Sequence, residues 1–131
     1  MRWSPLKTHA ETKLRIMRTF WNFNNTLRTL EEWQPNCWVQ VTCPTPDDEK
    51  FLLGELKIPE YFLDDIRDKD ERSRYDYDDG WSLIILRIPY VKEVRSRTPY
   101  TTVSLGIIHK RDVTITVCYY ETNMMIDFVS Y

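Results

Sequence analysis

The sequence is poor in glycine, cysteine and histidine, three residue types that often build phosphate, metal and catalytic sites. Its 131 residues include three glycines, three cysteines and two histidines. Gly54, Gly80 and Gly106 stand far apart, which excludes a glycine-rich phosphate-binding loop. His9 and His109 lack the spacing of a metal-binding or catalytic pair, and no Gly-x-Ser-x-Gly motif is present. A serine hydrolase is therefore not indicated.

The cysteines are too few, and wrongly spaced, for a disulfide framework or a structural zinc site. Cys37, Cys43 and Cys118 are odd in number and contain no Cys-x-x-Cys pair. Cys37 and Cys118 neighbour strand-like runs. The sequence therefore predicts buried, reduced thiols, as in a cytosolic protein.

The chain also lacks strong positive charge and long apolar runs. Its formal net charge is −2, so it offers no general electrostatic attraction for nucleic acid. No run of about 18 apolar residues is present, so no membrane span is predicted, and no apolar signal-peptide core is found either. A hydrophobic content of 42%, with 14% aromatic residues, is typical of one globular domain.

Acidic residues are concentrated in the stretch from Glu60 to Asp79, where they outnumber the basic ones. The acids are Glu60, Asp64, Asp65, Asp68, Asp70, Glu71, Asp76, Asp78 and Asp79, and the bases are Arg67, Lys69, Arg72 and Arg74. A cation is a more natural partner for this region than an anion.

A short helix is predicted at the start of this stretch. Pro59 suits the first helical position, because its φ is fixed and its missing N–H would be unpaired there. Glu60 follows in the first turn, where the helix dipole favours negative charge. Phe62, Leu63 and Ile66 are spaced three and four apart and so share one buried face.

The remaining pattern predicts strands around one pair of helices. Predicted strands are Leu14–Trp21, Cys37–Thr42, an edge strand near Tyr75, Trp81–Tyr90, Tyr100–His109 and Val113–Tyr120, with a turn at Asn22–Asn25 and an undecided strand or helical turn at Thr26–Leu30. Thr45 or Asp47 would cap the first helix. Asp79-Gly80 predicts a hairpin. The fold class expected is α/β (α+β), with helices packed on a mixed, largely antiparallel sheet.

Two further expectations concern packing. Trp81–Tyr90 is nearly continuous in apolar residues, which predicts a strand buried on both faces. One face would be covered by the predicted helix pair, and helices beyond Tyr131 would be needed for the other. Trp38, Trp81, Tyr75 and Tyr77 are expected to pack in the core and the hairpin.

An ordered set of motifs runs through the acidic stretch and its flanks. It comprises Ile58-Pro59, Leu63-x-Asp65 and Asp68-x-Asp70-Glu71-Arg72-x-Arg74, flanked by the strands Trp38–Thr45, Leu83–Tyr90 and Tyr100–Ile108. In this order, with short spacers, they resemble the cytosolic amino-terminal domain of the CorA family of divalent-cation transporters. The resemblance covers roughly Met17 to Tyr131. Ser73 departs from it, since the family usually has proline there.

The resemblance implies a domain organisation. Residues 1–16 would be a flexible N-terminal extension, with Met1–Glu11 poorly ordered. Residues 17–131 would be a CorA-like cytosolic N-terminal domain, truncated before the stalk helix and transmembrane helices. The family's stalk helix, two membrane spans and Gly-Met-Asn pore signature are not in this sequence.

The resemblance also implies a function, which is regulatory and not enzymatic. The parent protein would be a homopentamer that moves Mg²⁺ across the inner membrane, with Co²⁺ and Ni²⁺ left open as further ions. This domain would lie on the cytoplasmic face, soluble as a fragment. Asp65 matches the position whose carboxylate meets a regulatory divalent ion between protomers, and Asp64 matches its acidic neighbour. Because the stalk helix of the adjoining protomer supplies the other half, the fragment alone would bind Mg²⁺ weakly.

Alternatives remain open on residue types alone. Residue types alone favour an interpretation without a metal, in which the acids are surface charges that pair with nearby arginine and lysine; these acids are Asp64, Asp65, Asp68 and Asp70. A free-standing metal-dependent hydrolase that uses the Asp64–Asp70 acidic cluster is the alternative function, and an acidic interaction module is a third. Glu71, Arg72 and Arg74 are expected to form an ion-pair network at the corner between helix and strand.

Overall fold

Seven strands in the described part of the chain form one mixed sheet, in the order β2-β1-β3-β7-β6-β5-β4. The computed structural model describes residues 18–24, 26–91 and 100–122, together with Met124, Asp127 and Phe128. The strands are β1 (Arg18–Asn24), β2 (Thr26–Leu30), β3 (Trp38–Thr42), β4 (Arg74–Asp78), β5 (Trp81–Val91), β6 (Tyr100–Lys110) and β7 (Val113–Cys118). Among these strands, only β3 and β7 pair in parallel. The predicted mixed, largely antiparallel α+β fold is confirmed.

Two helices follow β3. Helix α1 (Pro46–Lys50) continues into a π-helical turn (Phe51–Glu55), and α2 spans Glu60–Arg67. Thr45 caps α1, as predicted: its hydroxyl accepts from the Asp48 N–H at 3.2 Å, and the Asp48 carboxylate accepts from the Thr45 N–H at 2.9 Å. None of the helices that the structure describes is long and apolar enough to cross a membrane.

Helix α2 forms where the apolar spacing predicts it, with one correction at its start. Pro59 is the N-cap, with an extended ψ of 131°, and not the first helical residue. Phe62, Leu63 and Ile66 are buried as predicted. Together with Leu52 of the π-helical turn, they pack on one face of the sheet. We call this face of the sheet the helix-covered face. Sheet residues of this core are Val39, Val41, Leu83, Ile85, Ile108, Ile115 and Val117.

A glycine in β6 allows α2 to lie close to the sheet. A Cβ atom at Gly106 would lie 2.2 Å from Cδ1 and 2.6 Å from Cγ1 of Ile66. No side chain fits there without moving Ile66. Gly106 therefore fixes the height of α2, and of its carboxylates, above the sheet.

The opposite face of the sheet is only partly covered by the described residues. Ile84 and Leu86 on β5 are 38% and 40% exposed, whereas Leu83 and Ile85 are fully buried, in keeping with the expectation that the helix pair covers only one face of this strand. Tyr75, opposite Ile84 in the β4–β5 register, is 63% exposed, and Tyr77 is 62% exposed. Both tyrosines lie on the β4–β5 hairpin, as predicted, and the Tyr75 hydroxyl lies 3.4 Å from the Ser82 hydroxyl across it. Their predicted packing in the core is wrong, because no described element covers them. Trp81 is buried as predicted.

Other boundaries differ from those predicted. Asn22 and Asn24 pair with Arg28 and Thr26, so β1 continues through the predicted turn at Asn22–Asn25, of which residue 25 lies outside the described residues. Thr26–Leu30 is a strand. β7 ends at Cys118 instead of Tyr120. The predicted extension 1–16, with its expected disorder at Met1–Glu11, also lies outside the described residues.

The three cysteines are free, and Cys37 and Cys118 are buried, as predicted.

Candidate metal site on the acidic helix

Asp64 and Asp65 are consecutive on α2 but do not share a site. The Asp64 side chain is 64% exposed and lies 3.5 Å from Nη1 of Arg67. The Asp65 side chain is 26% exposed and forms an ion pair with Arg74 at the start of β4. Successive helical residues point about 100° apart, so each carboxylate meets a different neighbour. The structure therefore does not bring the two predicted ligands together.

Asp65 belongs instead to a cluster of three carboxylates around one guanidinium, which we call the Arg74 cluster. Arg74 donates from Nη2 to Asp65, from Nε to Glu71 at 3.1 Å and from Nη1 to Asp76 at 3.1 Å. All four side chains are between 20% and 31% exposed. Three acids surround one base, so the cluster keeps an excess of negative charge.

The pKa values of the cluster reflect this imbalance. Partial burial raises the pKa of Asp65; the charge of Arg74 opposes that shift, whereas the negative charge of Glu71 adds to it. The hydrogen bond from Arg74 lowers the pKa of Asp76. Burial and Glu71 therefore disfavour the ionised form of Asp65, whereas its ion pair with Arg74 favours it.

Sequence reasoning identified part of this cluster. The predicted ion pair between Glu71 and Arg74 is confirmed, whereas Arg72 contributes only its backbone N–H to the Glu71 carboxylate, at 3.2 Å. Asp76 was not singled out as a site residue. Its spacing of two from Arg74 on one strand places both on the same face, and that spacing could have identified it.

The partner of Asp64 belongs to a separate structural junction. Arg67 forms an ion pair with Glu49 of α1 and donates to the Tyr119 hydroxyl at 3.2 Å. Tyr119 in turn donates to Glu49 at 2.9 Å, and burial raises the pKa of Tyr119 to about 12. These contacts connect both helices to Tyr119, the residue that follows β7. The arginine that Asp64 meets therefore has a structural role.

The other two acids of the predicted cluster, Asp68 and Asp70, lie in the turn that follows α2. The Asp68 carboxylate accepts from the Asp70 N–H at 2.9 Å, and both side chains are exposed. Within the described ranges, no three histidine, cysteine, aspartate or glutamate side chains are arranged to hold a metal ion. The hydrolase alternative, which needs a formed Asp64–Asp70 metal centre, gains no support from this geometry.

Asp64 is exposed on the surface of α2, and Asp65 is partly exposed. Two depressions, of ≈ 590 Å³ and ≈ 440 Å³, are lined by other residues and include neither Asp64 nor Asp65. A shallow acidic surface suits a hydrated divalent ion, because Mg²⁺ keeps several waters and takes only one or two carboxylates.

Comparison with protein families gives one match. Residues 33–130 match the model of the family described as CorA-like Mg²⁺ transporter protein. That range contains both helices and the whole Arg74 cluster. No protein with a curated function matches the sequence.

Several solved structures have a similar fold. The complete structure of the CorA magnesium transporter from Methanocaldococcus jannaschii aligns with a TM-score of 0.68 and 20% identity, over 88% of this chain and 37% of that one. The soluble domain of the CorA from the same organism aligns with a TM-score of 0.69 and 22% identity, over 88% of this chain and 45% of that one. The ZntB cytoplasmic domain from Vibrio parahaemolyticus RIMD 2210633 aligns with a TM-score of 0.63 and 22% identity, over 83% of this chain and 46% of that one. The chain thus shares their fold and spans less than half of their length.

Proposed function

The chain belongs to the CorA-like family of Mg²⁺ transporter proteins, and we propose on that premise that it is the ion-sensing, regulatory domain of a magnesium transporter. The observation that carries the proposal is the family match over residues 33–130, which includes Asp65 and its cluster. The role is regulatory and not enzymatic. Transport itself, of Mg²⁺ and of Co²⁺ or Ni²⁺ where the pore accepts them, is assigned to the pore of the full-length protein.

The proposed setting is a homopentamer in the inner membrane, with this domain on its cytoplasmic face. The similarity of the fold to the soluble domain of an archaeal CorA supports that placement. In this setting the acidic surface of α2 faces a neighbouring protomer, which supplies the remaining ligands of the ion.

Regulation follows from linkage between ion binding and subunit arrangement. Mg²⁺ held between Asp65 and the neighbouring protomer, with Asp64 adding negative charge nearby, stabilises the closed arrangement. When cytosolic Mg²⁺ falls, the ion dissociates and the carboxylates repel one another across the boundary. The open arrangement then gains population, because the ion binds the closed one more tightly.

Replacement of Asp65 tests this function. In a full-length transporter that carries this chain, Asp65→Asn is expected to raise the Mg²⁺ concentration needed for half-maximal closure by about 5-fold or more. The amide removes the negative charge and keeps the size of the side chain. The measurement is the Mg²⁺ dependence of the current in excised patches.

Glu32→Gln is the matched control, since it removes one exposed carboxylate beyond β2, at the opposite edge of the sheet from β4. It is expected to leave closure unchanged. An unchanged Mg²⁺ dependence in Asp65→Asn would remove Asp65 from the mechanism.

A further inference from the structure

The helices leave one end of the helix-covered face open. A depression of ≈ 590 Å³, which we call the cleft, lies there between the connection that joins the π-helical turn to α2 and the turns β4–β5 and β6–β7. Leu56 and Pro59 of the connection and Trp81 and Val113 of the sheet supply its apolar lining. A volume of this size is typical of sites for small molecules.

Six charged side chains line the same cleft, and their charges sum to zero. The bases are Lys57, Lys110 and Arg111, and the acids are Asp78, Asp79 and Asp112. Within the described part of the chain, none of these six side chains belongs to an ion pair. Both signs of charge therefore border one cavity without neutralising each other by direct contact, and both are available to a ligand.

The sheet register places one acid and one base on either side of Trp81. Asp78 of β4 is the direct partner of Trp81 on β5. On the other side of β5, the pairing of Ser82 with His109 brings Lys110 of β6 next to Trp81. Because β5 lies between their strands, the backbones of Asp78 and Lys110 are about 10 Å apart. An acid and a base thus border the cleft across one indole ring.

Lys110 is held in place while its ammonium group keeps its hydrogen-bonding capacity. The ammonium nitrogen lies 5.3 Å from the centre of the Trp81 ring, a cation–π contact. Gly80 leaves room for the Lys110 stem, since a Cβ atom at Gly80 would lie 3.0 Å from Cε of Lys110. A cation–π contact leaves N–H donors available, so a carboxylate in the cleft can accept from Lys110.

Asp78 borders the cleft from the side of α2. It lies four residues beyond Arg74 on the same strand, so both side chains lie on the face that carries the ion pair between Arg74 and Asp65. The Tyr61 hydroxyl of α2 also interacts with the Asp78 carboxylate. A carboxylate has about four lone-pair positions, so Asp78 can still accept from the ammonium group of a ligand.

We propose that the cleft binds the zwitterion of an α-amino acid with an aliphatic side chain. The ligand carboxylate accepts from Lys110, and the ligand ammonium donates to Asp78. The aliphatic side chain contacts the apolar lining. Two charge-assisted hydrogen bonds of about 2.8 Å, with the amino acid between them, span roughly 8 Å, which suits the spacing of β4 and β6. This site is separate from the proposed ion site, and neither depends on the other.

The charge of the lining favours a zwitterion over an anion or a cation. With three bases and three acids, the cleft has no net field that attracts a ligand of one sign. A nucleotide would meet three carboxylates, and a polyamine would meet three bases. A zwitterion gains a charge-assisted hydrogen bond from each sign and adds no net charge.

Titration with L-leucine and two analogues that each lack one charge tests the proposal. Isocaproate keeps the carboxylate and the side chain, and isoamylamine keeps the ammonium and the side chain. L-Leucine is expected to bind the 131-residue chain with a Kd on the order of 1 mM, and each analogue at least about tenfold more weakly. The measurement is the shift of the Trp81 indole N–H signal in NMR spectra of the ¹⁵N-labelled chain, identified by its absence in Trp81→Phe.

Two results of this titration would overturn the proposal. One is the lack of a saturable shift of the Trp81 signal with L-leucine. The other is an analogue that binds as tightly as L-leucine, because the missing charge would then not be recognised.

Substitutions in the cleft give a second test. Lys110→Gln and Asp78→Asn are each expected to weaken the binding of L-leucine about tenfold. Lys69→Gln and Asp70→Asn are the matched controls, since they remove the same charges from exposed side chains that do not line the cleft. Both controls are expected to leave the Kd unchanged. A cleft variant that binds L-leucine like its control contradicts the site. If a cleft variant does not fold, the analogue series on the unchanged chain decides.

Discussion

Phe62→Ala is expected to lower the free energy of unfolding by about 3–5 kcal/mol. Phe62 is fully buried in the first turn of α2, within the core of the helix-covered face. Its removal would leave a cavity beneath the helix that positions Asp65. Urea denaturation of the 131-residue chain, followed by tryptophan fluorescence, measures the change.

Tyr61→Ala is the control for this substitution, since Tyr61 is the preceding residue and is 40% exposed. Its loss is expected to cost about 1 kcal/mol or less. Equal losses for the two variants would show that α2 does not pack on the sheet through Phe62.

Gly106→Ala is expected to lower the free energy of unfolding by about 1–3 kcal/mol. The added methyl would lie 2.2 Å from Cδ1 of Ile66, so Ile66 must move, and α2 with it. The same denaturation experiment measures the loss.

Gly54→Ala is the matched control for Gly106→Ala. Nothing lies within 4 Å of a Cβ placed at Gly54, which is in the π-helical turn. Its replacement is expected to stabilise the chain by about 0.5–1 kcal/mol. The two substitutions should therefore have opposite signs, and a Gly106→Ala variant as stable as Gly54→Ala would contradict the close approach of α2 to β6.

Local signals in the sequence predicted much of this fold. The spacing of Phe62, Leu63 and Ile66 identified α2 and its buried face. Asp79-Gly80 identified a hairpin whose two turn residues both have positive φ, 49° and 83°. Such features depend on neighbours three or four residues apart, so a single chain segment contains the information.

Features that depend on distant segments could not be predicted in the same way. The apolar run Trp81–Tyr90 does not reveal which face another element covers, and Ile84 and Leu86 proved to be partly exposed. Adjacent positions made Asp64 and Asp65 look like a pair. Consecutive positions on a helix point about 100° apart, so the two carboxylates diverge. The partner that each one meets, Arg67 or Arg74, depends on the fold and is not specified by the acidic pattern.

The candidate site also combines a contact that local sequence predicts with contacts that depend on distant segments. The expected ion pair between Glu71 and Arg74 joins positions i and i+3 of one short segment. The convergence of Asp65, Glu71 and Asp76 on Arg74 requires α2, the following turn and β4 to meet at one corner. That meeting depends on the β4–β5 register and on the contact between α2 and Gly106.

The most direct test of the central claim is to locate a bound divalent ion on the chain. Mn²⁺ accepts the same oxygen ligands as Mg²⁺ and broadens the NMR signals of nearby nuclei. In the ¹⁵N-labelled chain, substoichiometric Mn²⁺ is expected to broaden first the amide signals of Asp65, Glu71 and Asp76, and an excess of Mg²⁺ should restore them. Broadening that begins elsewhere, or that persists unchanged in Asp65→Asn, would contradict the assignment of the site.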